Sequence, residues 1–199
     1  MNAENPIHAP RRGSQSPMWL LLIAAAVLVW VNARGRTDGG RGGGASDESF
    51  LANPQAGQVA PAFTATTLGG DTLRFPRDYG GKLVLLDFWA TWCGPCRAEF
   101  PHLRNAYARF RDRGFEIVGI SLDGPRGVGD QRVRAFLKKQ QATWPVVYAG
   151  AADIADAYRV HAIPTPFLVD GRTGKIVARG AALRGDALAK TLDRVLGRR

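Results

Sequence analysis

The stretch Leu83-Val84-Leu85-Leu86-Asp87-Phe88-Trp89-Ala90-Thr91-Trp92-Cys93-Gly94-Pro95-Cys96-Arg97-Ala98-Glu99-Phe100-Pro101 decides the fold. Leu83 to Ala90 is apolar except at Asp87 and holds no turn residue, the pattern of a central strand covered on both faces. Gly94 and Pro95 break that strand and open a helix, Pro95 suiting a first turn where a missing N–H costs little. That first turn carries unpaired N–H groups and the positive end of the macrodipole, which stabilise an anion. A thiolate is such an anion. With Cys93 at the helix N-terminus, its pKa is expected to fall below the free value of about 8.5. Cys96, three residues on, comes round near the same face, close enough to close a disulfide. The spacing therefore predicts a reversible dithiol and disulfide switch.

Both cysteines of the 199-residue chain lie in this pair, so no separate structural disulfide or zinc ribbon is available. His8, His102 and His161 complete only a poor zinc set. Soft thiolates suit Cu(I), so copper handling by the reduced pair stands as the alternative to redox exchange. A hydrophobic content of 45% supports one good core. The net charge of +10 comes mostly from scattered arginines without an aromatic-interleaved basic stretch, which argues against nucleic acid and for an arginine-rich solvated surface.

Residues 1–17 form a short N-terminal tail with Arg11 and Arg12, and 18–33 an apolar membrane anchor or signal segment. Trp19 and Trp30 stand near its ends, as an interfacial aromatic belt requires, and favour an uncleaved anchor. Val31-Asn32-Ala33 supplies the small residues at which a signal peptidase could cut instead. Either reading places the remainder outside the cytoplasm, in the periplasm or its equivalent, tethered in the first case to the inner membrane. Residues 34–58 are rich in glycine and polar side chains, with Gly39-Gly40-Arg41-Gly42-Gly43-Gly44 at their middle. This composition predicts a flexible linker with an r.m.s. reach of roughly 25–30 Å.

The folded domain is expected over 59–199. Ala62 to Thr67 and Thr72 to Phe75 read as strands around the turn Leu68-Gly69-Gly70-Asp71. Strands follow at Phe115 to Leu122, Pro145 to Tyr148, Phe167 to Asp170 and Ile176 to Arg179. Helices are expected at Asp130 to Gln140, Ala152 to Tyr158 and Asp186 to Leu196. Strands alternating with helices, then a hairpin and a helix, predict an α/β sandwich with a mixed sheet.

Trp92-Cys93-Gly94-Pro95-Cys96-Arg97, Glu99, Pro101 and Ile163-Pro164-Thr165 resemble the thioredoxin fold. The N-terminal hairpin, the apolar segment and Arg97-Ala98-Glu99-Phe100-Pro101 are similar to the membrane-tethered TlpA/ResA/CcmG-type thiol-disulfide oxidoreductases, over about residues 58–197. The resemblance implies a mixed central sheet flanked by helices with an added N-terminal β-hairpin. It implies reduction of disulfides in client proteins, such as the haem-attachment cysteines of apocytochrome c or copper-site cysteines. A membrane electron donor of the CcdA/DsbD kind would recharge the pair, and no organic cofactor or permanent metal would be needed. Peroxide reduction is disfavoured, because the Pro-x-x-x-Thr-x-x-Cys pattern is absent.

Cys93 is expected to be the exposed nucleophile and Cys96 the resolving thiol. Asp87, the only ionisable residue of its strand, should carry a raised pKa if buried; the resemblance implies that it helps deprotonate Cys96. The alternative is an aspartate at a strand end turned to solvent. Glu99 projects close to the face of Cys96, where similar proteins often place a glutamate near the active site; otherwise it serves only the helix dipole. Many of those proteins have Asn in place of Asp87, so the division of labour between the two acids stays open. Pro101 is expected to kink the helix. Pro164 is the candidate cis-proline, and the backbone of Ile163 would pair with an extended substrate segment. Trp92, Gly94 and Pro95 line the docking surface, Trp89 belongs to the core, and His161 reads as a plain loop histidine.

Overall fold

A computed structural model of the chain describes residues 54–198. The apolar segment and most of the glycine-rich stretch lie outside the described residues. No helix among the described residues is long and apolar enough to cross a membrane.

Strand β3 (Leu83–Trp89) is buried at every position, as its unbroken apolar run requires. It pairs in parallel with β4 (Phe115–Ser121) and antiparallel with β6 (Thr165–Asp170). With β5 (Val146–Val147) beyond β4 and β7 (Lys175–Arg179) beyond β6, the mixed sheet has the order β5-β4-β3-β6-β7. A second sheet is the antiparallel hairpin of β1 (Phe63–Thr66) and β2 (Thr72–Phe75). The helices are α1 (Gly94–Phe110), α2 (Asp130–Gln140), α3 (Ala151–Ala157) and α4 (Asp186–Leu196).

Side chains alternate across a strand, and β3 divides its own accordingly. Leu83, Leu85 and Trp89 join Cys96, Phe100 and Leu103 of α1 and Cys93 just before it, with Val133 of α2 and Leu188 and Leu192 of α4. Val84, Leu86 and Phe88 join Leu73 and Phe75 of the hairpin, with Ile154, Ala155 and Tyr158 on the other face. The added hairpin thus shares with α3 the work of covering the second face. Its turn is tied to the sheet edge, where the Leu68 N–H donates to the Val146 carbonyl at 2.7 Å and the Arg134 guanidinium to the Leu68 carbonyl at 2.6 Å. Just before β1, the Gly57 N–H donates to the Ile176 carbonyl and the Ile176 N–H to that of Gln58. Pairing with β7 therefore begins ahead of Val59.

Differences from the expected boundaries are small. β5 shortens to two residues; Pro145 has no N–H, and its carbonyl accepts from Gly119 at 2.9 Å. β6 starts earlier than expected, at Thr165, and takes in Pro166 opposite Asp87. Pro101 lies inside α1 without ending it. Short 3₁₀ turns at Arg77–Tyr79, Arg111–Arg113, Gly124–Arg126 and Gly180–Leu183 have no hydrophobic periodicity to announce them. Gly171 admits no side chain at all, since a Cβ there would lie 2.1 Å from the Tyr79 carbonyl oxygen.

Candidate active site

The cysteine pair sits where β3 delivers the chain into α1. Cys93 is the N-cap residue, with extended backbone, and Pro95 occupies the first turn. The Cys96 N–H, one of the orphan donors of that turn, donates to the Cys93 sulfur at 3.1 Å. The two residues form a disulfide with their Cα atoms 5.2 Å apart. The Ile163–Pro164 peptide bond is cis, and the Ile163 carbonyl oxygen lies 3.8 Å from Cys93 Sγ. A second cis bond, Phe75–Pro76, was not expected from the sequence.

Cys93 was expected to be exposed, and the disulfide form corrects this: it is only 6% exposed, against 1% for Cys96. The reason is the Ile163–Pro164 loop folded against its sulfur. Exposure falls instead on its neighbours Trp92, Gly94 and Pro95. The ranking of the two sulfurs still has Cys93 on the outside.

Asp87 is buried in mid-strand, not turned to solvent at an end. By alternation its side chain lies on the face of Leu85 and Trp89, the face that α1 and the cysteines cover. Burial is the main cause that pushes its carboxyl from 3.8 up to about 7; the Glu99 charge adds to the rise and Arg184 opposes it. Glu99 accepts from the Gly185 N–H at 2.7 Å and from Arg184 Nε at 3.4 Å. These bonds reach from α1 to the turn before α4, so Glu99 does more than favour a helix dipole. Its β4 partner Gly119 leaves space for the Trp89 and Val146 side chains, since a Cβ there would stand 3.1 Å from both Trp89 Nε1 and Val146 Cγ2.

Asp123 is a further buried carboxylate, fully inaccessible. It accepts from the Thr91 N–H at 3.0 Å, from the Thr91 hydroxyl and from the Ser121 hydroxyl at 2.8 Å. Its own carbonyl accepts from Arg126 and Val128. One residue thereby fixes both the Thr91-Trp92 approach to Cys93 and the Gly124–Arg126 turn opposite. Asp123→Ala would strand three donors, and a loss of about 3 kcal/mol in urea unfolding of the oxidised protein is expected; an unchanged midpoint would show that these bonds hold nothing in place.

A disulfide at a helix N-terminus, a buried acid on the face that helix covers and a cis-proline against the outer sulfur form the equipment of dithiol exchange. The model of the AhpC/TSA family matches residues 56–179. The thiol-disulfide oxidoreductase ResA of Oceanobacillus iheyensis is 38% identical over 189 residues, covering 92% of this chain and 84% of that protein. This chain belongs to the ResA-type thiol-disulfide oxidoreductases. ResA of Bacillus subtilis is 37% identical over 123 residues, 61% of this chain and 66% of its own. The thioredoxin domain of a Bacteroides vulgatus thiol-disulfide oxidoreductase superposes with a TM-score of 0.63 at 34% identity, covering 71% of this chain and 98% of that one. A thiol:disulfide interchange protein from a Bacteroides species gives 0.63 at 33%, covering 72% and 91%.

For a ResA-type enzyme, the residues named from sequence fall in two groups. Cys93, Cys96, Trp92, Gly94, Pro95, Ile163 and Pro164 gather around the disulfide, while Asp87 and Glu99 interact through their charges. Sequence reasoning missed Arg184, Asp123 and Arg126. Asp123 had a readable signal, an acid ending the apolar run of β4; Arg184 was one arginine among many.

Proposed function

We propose that this enzyme is an exported, membrane-tethered reductant of protein disulfides. Its residues 18–33 would anchor it and 34–58 would let the domain range beside the membrane. The proposed clients are apocytochrome c haem-attachment cysteines or copper-site cysteines, with recharging by a membrane electron donor of the CcdA/DsbD kind.

In the forward reaction the Cys93 thiolate attacks one sulfur of the client disulfide, and the other leaves as a thiolate that takes up a proton. Asp87 then accepts the Cys96 proton. The Cys96 thiolate attacks Cys93 Sγ, the second client sulfur departs as a thiolate and takes up the proton that Asp87 releases, and the Cys93–Cys96 disulfide forms as the client becomes a dithiol. The observation that supports the disulfide-exchange part of this reading is the Cys93–Cys96 disulfide at the α1 N-terminus, set against the cis Ile163–Pro164 bond, with the buried Asp87 carboxyl on the face that α1 covers. The alternative is a copper-handling module that holds Cu(I) on the reduced Cys93 and Cys96 thiolates, marked by tight Cu(I) binding with negligible disulfide reductase activity.

Equilibration of the full chain against glutathione or dithiothreitol buffers tests the direction of electron flow. A midpoint potential near the thioredoxin value of about −270 mV is expected. A value near about −120 mV would mark a disulfide donor and overturn the reductant reading.

A further inference from the structure

Beside the cysteine mouth runs a groove of about 310 Å³ lined by Trp92, Leu122, Arg126, Val160, His161, Ala162 and Ile163. Its lining mixes apolar and cationic side chains. Val160, Ala162 and Ile163 supply apolar lining, and the Ile163 carbonyl lies 3.8 Å from Cys93 Sγ. In the same lining the Arg126 guanidinium lies 4.0 Å from the centroid of the Trp92 ring, and both side chains are exposed. No acidic residue lines the groove. Arg126 takes part in none of the ion pairs among the described residues.

The cation is built into place. Arg126 belongs to the 3₁₀ turn Gly124–Arg126, whose Arg126 and Val128 N–H groups both donate to the Asp123 carbonyl. The Tyr148 hydroxyl braces the same loop by donating to the Val128 carbonyl at 2.7 Å, and its ring packs beside Gly124. The Asp123 carboxylate meanwhile holds Thr91, the residue before Trp92. Ring and guanidinium are therefore set against each other from a common anchor. A guanidinium stacked on an aromatic face keeps its edge N–H groups free to grip a carboxylate in a bidentate fork.

We infer that this groove selects clients by charge: it takes an extended segment carrying an Asp or Glu side chain within two or three residues of the attacked cysteine, the carboxylate docking on Arg126. An extended segment advances roughly 3.3 Å per residue. With the client sulfur at Cys93, its near neighbours thus pass over Trp92, the adjoining residue. The inference rests on the disulfide-exchange activity and adds to it which client sequence is preferred.

The test uses the reduced full-length protein and three disulfide-bonded peptides blocked at both ends, identical except for Glu, Gln or Lys two residues from the attacked cysteine. Reduction of the Gln peptide reports the exchange reaction itself, independently of any charge preference. The kcat/KM of the Glu peptide is expected to exceed that of the Lys peptide by about fivefold to tenfold, converging at about 1 M salt. Arg126→Glu should invert the ratio, and Arg126→Gln should bring it towards one. Equal kcat/KM for the Glu and Lys peptides with the parent protein, at low salt, would overturn the inference without touching the activity. So would a preference that Arg126→Glu leaves in place, which would assign it to the chain's general positive charge.

Discussion

Asp87→Asn is expected to abolish a pH-dependent loss of stability that the parent enzyme suffers between about pH 4 and pH 7, the ordinary and the raised pKa of this carboxyl. In the unfolded chain Asp87 releases its proton near 3.8; in the fold burial, helped by the Glu99 charge and opposed by Arg184, holds the proton until about 7. The folded state therefore binds more protons than the unfolded state across that window. Stability from this group is complete below the unfolded value and is lost as pH rises through the folded one. A displacement of this size corresponds to about 4 kcal/mol. Above pH 7 the fold must hold a charged carboxylate in mid-strand, and the Asn variant is relieved of that cost. Urea unfolding of the two oxidised proteins from pH 3.5 to 8 checks it: the midpoints should diverge in favour of Asn as pH rises. Parallel curves would mean that Asp87 is hydrated, and its role as a proton acceptor would lose its physical basis.

The same substitution separates stability from chemistry. Asn cannot take the Cys96 proton, so release of a client from the mixed disulfide should slow while attack by Cys93 proceeds. A stabilised protein with slower resolution is the signature of a group kept in an unfavourable place for its function.

How far could this be read without coordinates? The strand, the helix and the cysteines were legible because their signals are local. Seven consecutive apolar or buried positions mean a central strand, and Gly-Pro between two cysteines means a helix start. Asp87 was legible as a contrast, one acid in an apolar run. What escaped was whatever depends on residues far apart in the chain. Arg184 and Gly185 meet Glu99 across 85 residues or more, and nothing near Arg184 distinguishes it from other exposed arginines. Arg126 acquires meaning only when Asp123 folds its turn back against the Thr91-Trp92 approach. The expected exposure of Cys93 failed for the same reason, because the loop that covers it comes from 70 residues downstream.

That covering loop bears directly on Cys96→Ser, for which turnover is expected to fall on the order of 10³-fold or more while a covalent adduct with the client accumulates. Of the two sulfurs, Cys93 is the less enclosed and stands at the N-cap, where helix N–H groups can stabilise its thiolate; Cys96 is 1% exposed beneath the first turn. A client disulfide can thus be opened by Cys93, but with serine at 96 no second thiol is in reach to close the cycle. Non-reducing mass spectrometry after mixing with a disulfide-bonded peptide should show one peptide chain joined to the Cys96→Ser protein, and none on Cys93→Ser. The reverse pattern would exchange the roles of the two cysteines. It would also require the α1 end to open, since Cys96 is only 1% exposed. Adducts of equal yield on both variants would point to a first turn that opens in the reduced state, and the order of attack would then be set by thiolate stability alone, not by access.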